Sequence, residues 1–249
     1  QRSASRQLGS IEGEGLDRAQ YAAEQMLKTD AHRWINYVAK LGRDAVITEA
    51  LDSATRAAGE PRMLNETVRG RLQALVPDRG GIGIEYLVAL DGKGKVVARV
   101  GEKEGDFGDS LAGAEIVADG LRGYMSDDVW VQGDRLLRVA AAPVLAKTRD
   151  RIVGVVFVAA ETSRRLTEVW KKNLGVDVAI VLRNDVVTST IGEGSLGSLP
   201  QEIDGRRKEI EAAKRTRAFT LPLGNDQLLA VAAPFTGQAA ELKATYVLL

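Results

Sequence analysis

The chain has 249 residues, with 34 Lys and Arg against 34 Asp and Glu, one His and no Cys. This balance leaves no strongly basic field to draw nucleic acid, and the missing Cys excludes disulfides, thiolate metal sites and a cysteine nucleophile. The longest apolar runs, Ile152 to Ala160 and Val176 to Leu182, fall well short of the roughly 20 residues a membrane helix requires.

Residues 1–80 read as a helical section. From Leu8 to Leu41 there is no proline, and apolar residues recur at Leu16, Ala19, Ala23, Met26 and Leu27, then at Trp34, Val38 and Leu41. Spacings of three, four and seven make one helical stripe. Thr29-Asp30 either starts a second helix or kinks the first. The stripe packs on its own domain or forms part of an interface with a second copy. Ala45 to Ala58 and Leu64 to Val76 read as shorter helices, parted by Gly59-Glu-Pro61, and Val76-Pro-Asp-Arg-Gly-Gly81 ends the section.

Strands follow. Ile84 to Leu90 and Lys95 to Val100 form a hairpin about Asp91-Gly-Lys-Gly94. Glu102 to Ser110 is a charged loop, and Leu111 to Leu121 is a helix. Strands are predicted near Asp128–Val131, Arg135–Leu145 and Ile152–Ala160, with Asp127-Asp128 in a solvated turn. Thr162-Ser163 caps a helix over Arg164–Asn173. The second series has strands at Asp177–Leu182 and Val186–Thr190, a helix at Glu202–Lys214, and strands at Arg217–Leu221, Gln227–Phe235 and Leu242–Leu249.

The two series echo each other at a fixed offset. Leu87 to Gly101 is answered by Val178 to Gly192, and Gly133 to Val144 by Gly224 to Phe235; 192 − 101, 224 − 133 and 234 − 143 all equal 91. That period exceeds the roughly 20–50 residues of a solenoid repeat and fits a small domain used twice. Pro143 and Pro234 recur at the end of a strand, where no ladder donor is required. The fold class is α+β: a helical stalk over residues 1–80, one unit over 81–162 and a second over 163–249.

Enzyme signals are poor. His32 is the single histidine and reads as a surface residue. Gly81-Ile-Gly83 lacks the rest of a dinucleotide loop, and the acidic pairs have no spacing that defines a metal set or a glycosidase. The chain reads as a non-enzyme with no cofactor. Differences between the repeats are more informative. Arg99 and Arg138 stand in the first unit where the second is matched with Thr190 and Ala230, and Tyr124 and Trp130 precede the long strand of the first unit alone. Arginine forks bind carboxylates, and aromatic walls exclude water. The expected ligand-binding residues are therefore Arg99, Tyr124, Trp130 and Arg138. The competing expectation puts both arginines on the wet face of a half-exposed sheet.

A long N-terminal helix followed by two strand–strand–helix–three-strand units resembles the double CACHE (tandem PAS-like) sensor domains of bacterial receptors. The residues that carry the resemblance are Leu87 to Val97, Gly120-Leu-Arg-Gly123, Leu137 to Val144, Ile152 to Val156, Leu174 to Val181 and Val186 to Thr190. It implies a periplasmic, extracytoplasmic domain anchored through flanking membrane helices in a chemoreceptor, a sensor histidine kinase or a cyclic-dinucleotide enzyme. A chain that begins at Gln1 without Met and ends on Tyr246-Val-Leu-Leu249 is expected to be an excised piece of such a protein.

The resemblance further implies a membrane-distal unit that binds a small metabolite and a membrane-proximal unit that relays the change. The tyrosine–arginine–tryptophan–tyrosine constellation of its amino-acid-binding members is not found in register, since Arg33-Trp34 and Tyr37 fall in the first helix. The expected ligand is therefore a small carboxylate such as acetate, the expected role chemotaxis sensing, and the expected assembly a homodimer through the first helix. The alternatives are a ligand-free periplasmic spacer or interaction module and, third, a carboxylate-using hydrolase.

Overall fold

A computed structural model describes residues 2–76, 84–101, 107–192, 196–223 and 226–249. Helix α1 (Arg2–Leu41) runs through Thr29-Asp30 without a break. Its stripe is spent within the chain: Leu16, Ala19 and Ala23 are buried in one core, and Trp34, Val38 and Leu41 in another. This is the first of the two readings of the stripe. Helix α2 (Ala45–Thr55) starts where the Asp44 carboxylate accepts from the Val46 and Ile47 N–H groups at 3.1 and 3.2 Å, satisfying two donors the first turn leaves unpaired. Helix α3 (Pro61–Leu75) begins three residues earlier than expected. Pro61 itself supplies the start, because the first helical position needs no N–H.

Two five-stranded antiparallel sheets follow. The first comprises β1 (Ile84–Asp91), β2 (Val96–Gly101), β3 (Ser126–Gln132), β4 (Arg135–Leu145) and β5 (Ile152–Glu161), in the order β2-β1-β5-β4-β3. The second comprises β6 (Val178–Leu182), β7 (Asp185–Ser189), β8 (Phe219–Leu223), β9 (Asp226–Pro234) and β10 (Thr245–Leu248), in the order β7-β6-β10-β9-β8. Adding five to each label of the first order gives the second, so the duplication seen in sequence is a duplication of topology. Helix α4 (Glu115–Leu121) belongs to the first sheet, and α5 (Ser163–Leu174), α6 (Leu199–Gly205), α7 (Arg207–Ala213) and α8 (Gln238–Glu241) to the second half of the chain.

The chain divides into two compact units. One holds Gln1–Lys28, Val129–Leu137 and Thr162–Leu249; the other holds Thr29–Asp128 and Arg138–Glu161. Helix α1 is thus shared, and β3 and β4 each pass from one unit to the other along their length. In the unit built on the first sheet, α1, α2 and α3 cover one face, where Leu87, Ala89, Ala98, Ala140, Ala142, Val156 and Val158 pack against Ile47, Leu51, Val68 and Leu72. In the other unit, Leu16, Ala19 and Ala23 join Trp170, Val178, Ile180, Val231, Phe235 and Tyr246 on one face, while Leu196, Leu199, Ile203 and Ile210 cover the opposite face with Ala179, Ala230 and Ala232. Each fully buried Val or Leu in these layers contributes about 1.5–3 kcal/mol.

Three expectations change. Asp127-Asp128 is not a solvated turn but part of β3, because Asp127 has a charged partner on the neighbouring part of the sheet. The predicted helix over Glu202–Lys214 is two helices that part at Arg206; Gly205 is a poor interior helix residue, and the Arg206 guanidinium lies 4.2 Å from the centre of the Phe219 ring. Leu242–Leu249 yields only the short β10, preceded by α8.

The repeat also slips. β1 and β2 are joined through residues 92–95, β6 and β7 through 183–184, so the second hairpin is shorter. Val88 pairs with Arg99 in the first sheet, and Ala179, at the 91-residue offset from Val88, pairs with Ser189. Ser189, not Thr190, therefore stands opposite Arg99. Along β9, Leu229, Val231 and Ala233 face the core that includes α1, and Ala230 faces away. Ala140 and Ala142 of β4 also face the α1 side, so strand alternation places Arg138 there. Its counterpart is Leu229, as the 91-residue offset itself gives (138 + 91 = 229), so the match with Ala230 is one residue out. In both cases an arginine of the first sheet corresponds to a neutral residue of the second.

Candidate functional site

Arg99 lies on the edge strand β2. Ala98 and Val100 turn toward the helical face of the sheet, so alternation sends the Arg99 side chain to the other face, where its cross-strand neighbours are Val88 and, one strand further, Phe157. Tyr86 meets Phe157 edge-on there, with ring centres 6.0 Å apart. The same face carries α4. Gly120 of α4 sits so near the sheet that a Cβ would come within 2.8 Å of Val155, which pairs with Leu90.

The Arg99 side chain is only 12% exposed. Among the described residues its charge is met by one carboxylate, that of Asp109, at 3.7 Å, and its Nε has no hydrogen-bond partner. Asp109 belongs to a segment laid along β2: the Val96 N–H donates to the Asp109 carbonyl at 2.8 Å, the Gly108 N–H to the Val96 carbonyl at 2.7 Å, and the Leu111 N–H to the Gly94 carbonyl at 2.9 Å. The rest of the expected loop, residues 102–106, lies outside the described residues, as does Gly81-Ile-Gly83.

Arg138 is placed differently. It lies on the helical face, 4% exposed, donates to Asp127 Oδ2 at 2.8 Å and has Asp30 of α1 at 3.7 Å from Nε. Two carboxylates thus share one buried guanidinium. The structure does not bring Arg99 and Arg138 together; they occupy opposite faces of one sheet. Tyr124 is largely exposed just beyond α4. Trp130 is half-buried on β3, in the part of that strand that belongs to the other unit. Sequence reasoning missed Tyr86 and Phe157, the aromatic pair on the face of Arg99. The signal was the strand period itself, which places Tyr86 on the same side as Val88.

The positions that match Arg99 in the second sheet make no such site. Ser189 Oγ accepts from the Ile191 N–H at 3.0 Å. Next to it, Thr190 Oγ1 donates to Asp177 at 2.7 Å and accepts from the Val178 N–H at 2.9 Å. Asp177 also takes Lys171 Nζ at 2.6 Å. Burial would raise the Asp177 pKa, but these two donors and the lysine charge outweigh it and hold the carboxyl below its ordinary range.

A separate surface cleft of about 290 Å³ lies between α2 and the β4–β5 turn. Its charges are internally matched, with Asp52 between Arg56 and Arg151, and Lys147 on Glu49 at 2.9 Å. His32 is exposed on α1. No group of three His, Asp or Glu side chains among the described residues could hold a metal ion. No described helix is long and apolar enough to cross a membrane.

Comparison with protein-family models and with curated proteins finds no match. Solved structures do match over nearly the whole chain. The sensor domain of the V. cholerae histidine kinase DctB is similar with a TM-score of 0.55 and 16% identity, covering 98% of this chain and 97% of that one. The ligand-binding domain of the Campylobacter jejuni chemoreceptor Tlp3 in complex with L-norvaline gives 0.52 and 12%, covering 99% and 91%. The sensory domain of the same receptor with isoleucine bound gives 0.50 and 10%, covering 99% and 94%. A long helix leading two tandem PAS-like units is thus the fold this chain shares with sensory domains of histidine kinases and chemoreceptors, as its resemblance to double CACHE domains implied.

Proposed function

We propose that the chain is the extracytoplasmic ligand-sensing part of a bacterial transmembrane receptor, in which the first sheet binds a small carboxylate such as acetate at Arg99 and the second relays the change. The first sheet would be membrane-distal and the second membrane-proximal. The observation that carries this reading is a guanidinium on the α4 face, 12% exposed, whose one described carboxylate stands at 3.7 Å, where the second sheet has Ser189 at the matching position. A carboxylate there gains a two-toothed contact in a site of reduced dielectric. Tyr86 and Phe157 supply the apolar wall on this face, whereas Trp130 stands on β3, the opposite edge strand of the sheet, and has no part in it. Arg138, already held by two carboxylates on the other face, acts in the framework.

Isothermal calorimetry with acetate, propionate, pyruvate and formate tests this reading. Arg99→Ala loses binding, while Arg138→Ala keeps it as long as the protein stays folded. L-norvaline and L-isoleucine belong in the same panel, since the similar Tlp3 domain is described with those amino acids bound. Heat from either one and none from the simple carboxylates would replace acetate by an amino acid.

The proposed receptor is a chemotaxis protein, with a homodimer along the face of α1 opposite its buried stripe, where Tyr21 is exposed. Light scattering checks the dimer. One observation favours a ligand-free spacer instead: Val88, Leu90, Val139 and Phe157 on or beside the Arg99 face are each at most 1% exposed. Silence of the whole panel together with a stable complex with a second protein would support that reading.

A further inference from the structure

Resting on the carboxylate-site reading, we infer that Asp109 is a built-in competitor for Arg99, a tethered carboxylate that a ligand must displace. Four features point to it. Arg99 is nearly buried, yet its carboxylate partner is 61% exposed and stands at 3.7 Å, longer than a charge-assisted hydrogen bond. Its Nε is left over. Asp109 reaches Arg99 from a segment held to β2 by backbone bonds on both sides, from Val96 N–H to Asp109 O and from Gly108 N–H to Val96 O. Its chemistry is that of the proposed ligand, a carboxylate on a short apolar stem.

A tethered carboxylate of this kind makes a weak but permanent pair. A free carboxylate with correct two-toothed geometry replaces it and also satisfies Nε. The exchange conserves charge at the guanidinium, so no buried cation is ever left bare. The released Asp109 carboxylate returns to water, where it already largely resides. Ligand affinity is then lowered by the fraction of time Arg99 is occupied. Exposed pairs of this kind are weak, so removing the competitor raises affinity by roughly three-fold.

The test is calorimetric titration with acetate, propionate and pyruvate of the wild type, Asp109→Asn, Asp109→Glu, Asp119→Asn and Arg99→Ala, each checked for folding by circular dichroism. Tighter binding by Asp109→Asn, wild-type affinity in Asp109→Glu and Asp119→Asn, and no heat from Arg99→Ala is the expected pattern. Unchanged or weaker binding by Asp109→Asn, with Arg99→Ala silent, overturns the competitor and leaves the carboxylate site standing. Equal gains from Asp109→Asn and Asp119→Asn overturn it too, because the effect is then one of general charge. Wild-type heat in Arg99→Ala, or none in any folded protein, removes the site and its competitor together. Should Arg99→Ala not fold, Arg99→Lys takes its place; it keeps the charge and loses the fork, and weaker binding is expected.

Discussion

Asp127 and Arg138 form a 2.8 Å ion pair whose two ends are unequally buried: the arginine side chain is 5% exposed, the aspartate 25%. Asp30 stands on the other side of the same guanidinium. Removing a carboxylate leaves a buried cation short of a partner, whereas removing the arginine leaves two carboxylates that water can reach.

Asp127→Ala is therefore expected to cost about 3 kcal/mol and Arg138→Leu roughly 1 kcal/mol, the latter restoring the residue type that Leu229 supplies in the second sheet. Urea denaturation of the two variants gives the order. Equal losses would show that the pair, not the burial of the cation, sets the cost.

Asp44 caps α2 and also takes the Arg71 guanidinium at 2.7 and 2.9 Å. Desolvation is the largest single influence on its carboxyl and raises its pKa. The hydrogen bond from Arg71, those from the Ile47 and Val46 N–H groups and the arginine charge together prevail and lower it. A carboxyl lowered in the folded state stabilises it above the unfolded value, near 4, and loses that contribution as pH falls through the folded value. Asp44→Ala should cost about 1 kcal/mol at neutral pH through the lost cap, and the difference from wild type should shrink below pH 4. Thermal melts between pH 2 and 7 check both statements.

Gly154 pairs with Asp91 across β1 and β5, and a Cβ there would sit 2.1 Å from the Leu90 carbonyl oxygen. The obstacle is backbone, which cannot rotate aside. Gly154→Ala should destabilise by about 3 kcal/mol, at the upper end of overpacking costs, whereas Gly70→Ala, with nothing near on α3, should stabilise by a few tenths up to about 1 kcal/mol. Opposite shifts in melting temperature are expected.

Tyr246 is 2% exposed and packs edge-on against Trp170 and Phe235 at 5.1 and 5.5 Å. Burial and, after it, the Glu24 charge raise its pKa, against a hydrogen bond with Gln20, which is itself 1% exposed. Gln20 Nε2 keeps its contact with Glu24 at 3.3 Å whichever residue stands at 246, so Tyr246→Phe loses a single neutral hydrogen bond and should cost about 1 kcal/mol. A double-mutant cycle with Gln20→Leu measures how far the two residues are coupled, with an interaction energy of about 0.5–1 kcal/mol expected.

Much of the scaffold was legible because it is periodic. The helical stripe marked the buried face of α1, and the largely apolar stretch Arg135–Leu145, broken by Arg138, marked β4 with both ends correct. The one-residue slip between the two hairpins was not legible, since a turn residue can be lost without disturbing either strand's pattern. That slip is why Arg99 was matched with Thr190 rather than Ser189. Arg138 was a harder case. Nothing in a strand says which face will meet a helix, and its partners Asp30 and Asp127 come from sequence positions no local pattern connects. Tyr86 and Phe157 were passed over because strand aromatics are ordinary core residues; only the placement of Arg99 beside them gives them a second meaning.

The segment that holds Asp109 also lies along the outer edge of β2, with Lys95 and Ser110 bridged. β2 is the last strand on its side of the sheet, and a bare last strand is a template onto which another chain can add. The strap occupies the start of that row, at Gly94 to Val96, from within the same molecule. Substitutions that loosen it, such as a proline at position 108, whose N–H bonds to Val96, should therefore appear first as concentration-dependent association and only later as lost stability. A segment that answers a ligand at Arg99 would then also guard the start of an edge strand against pairing with another chain.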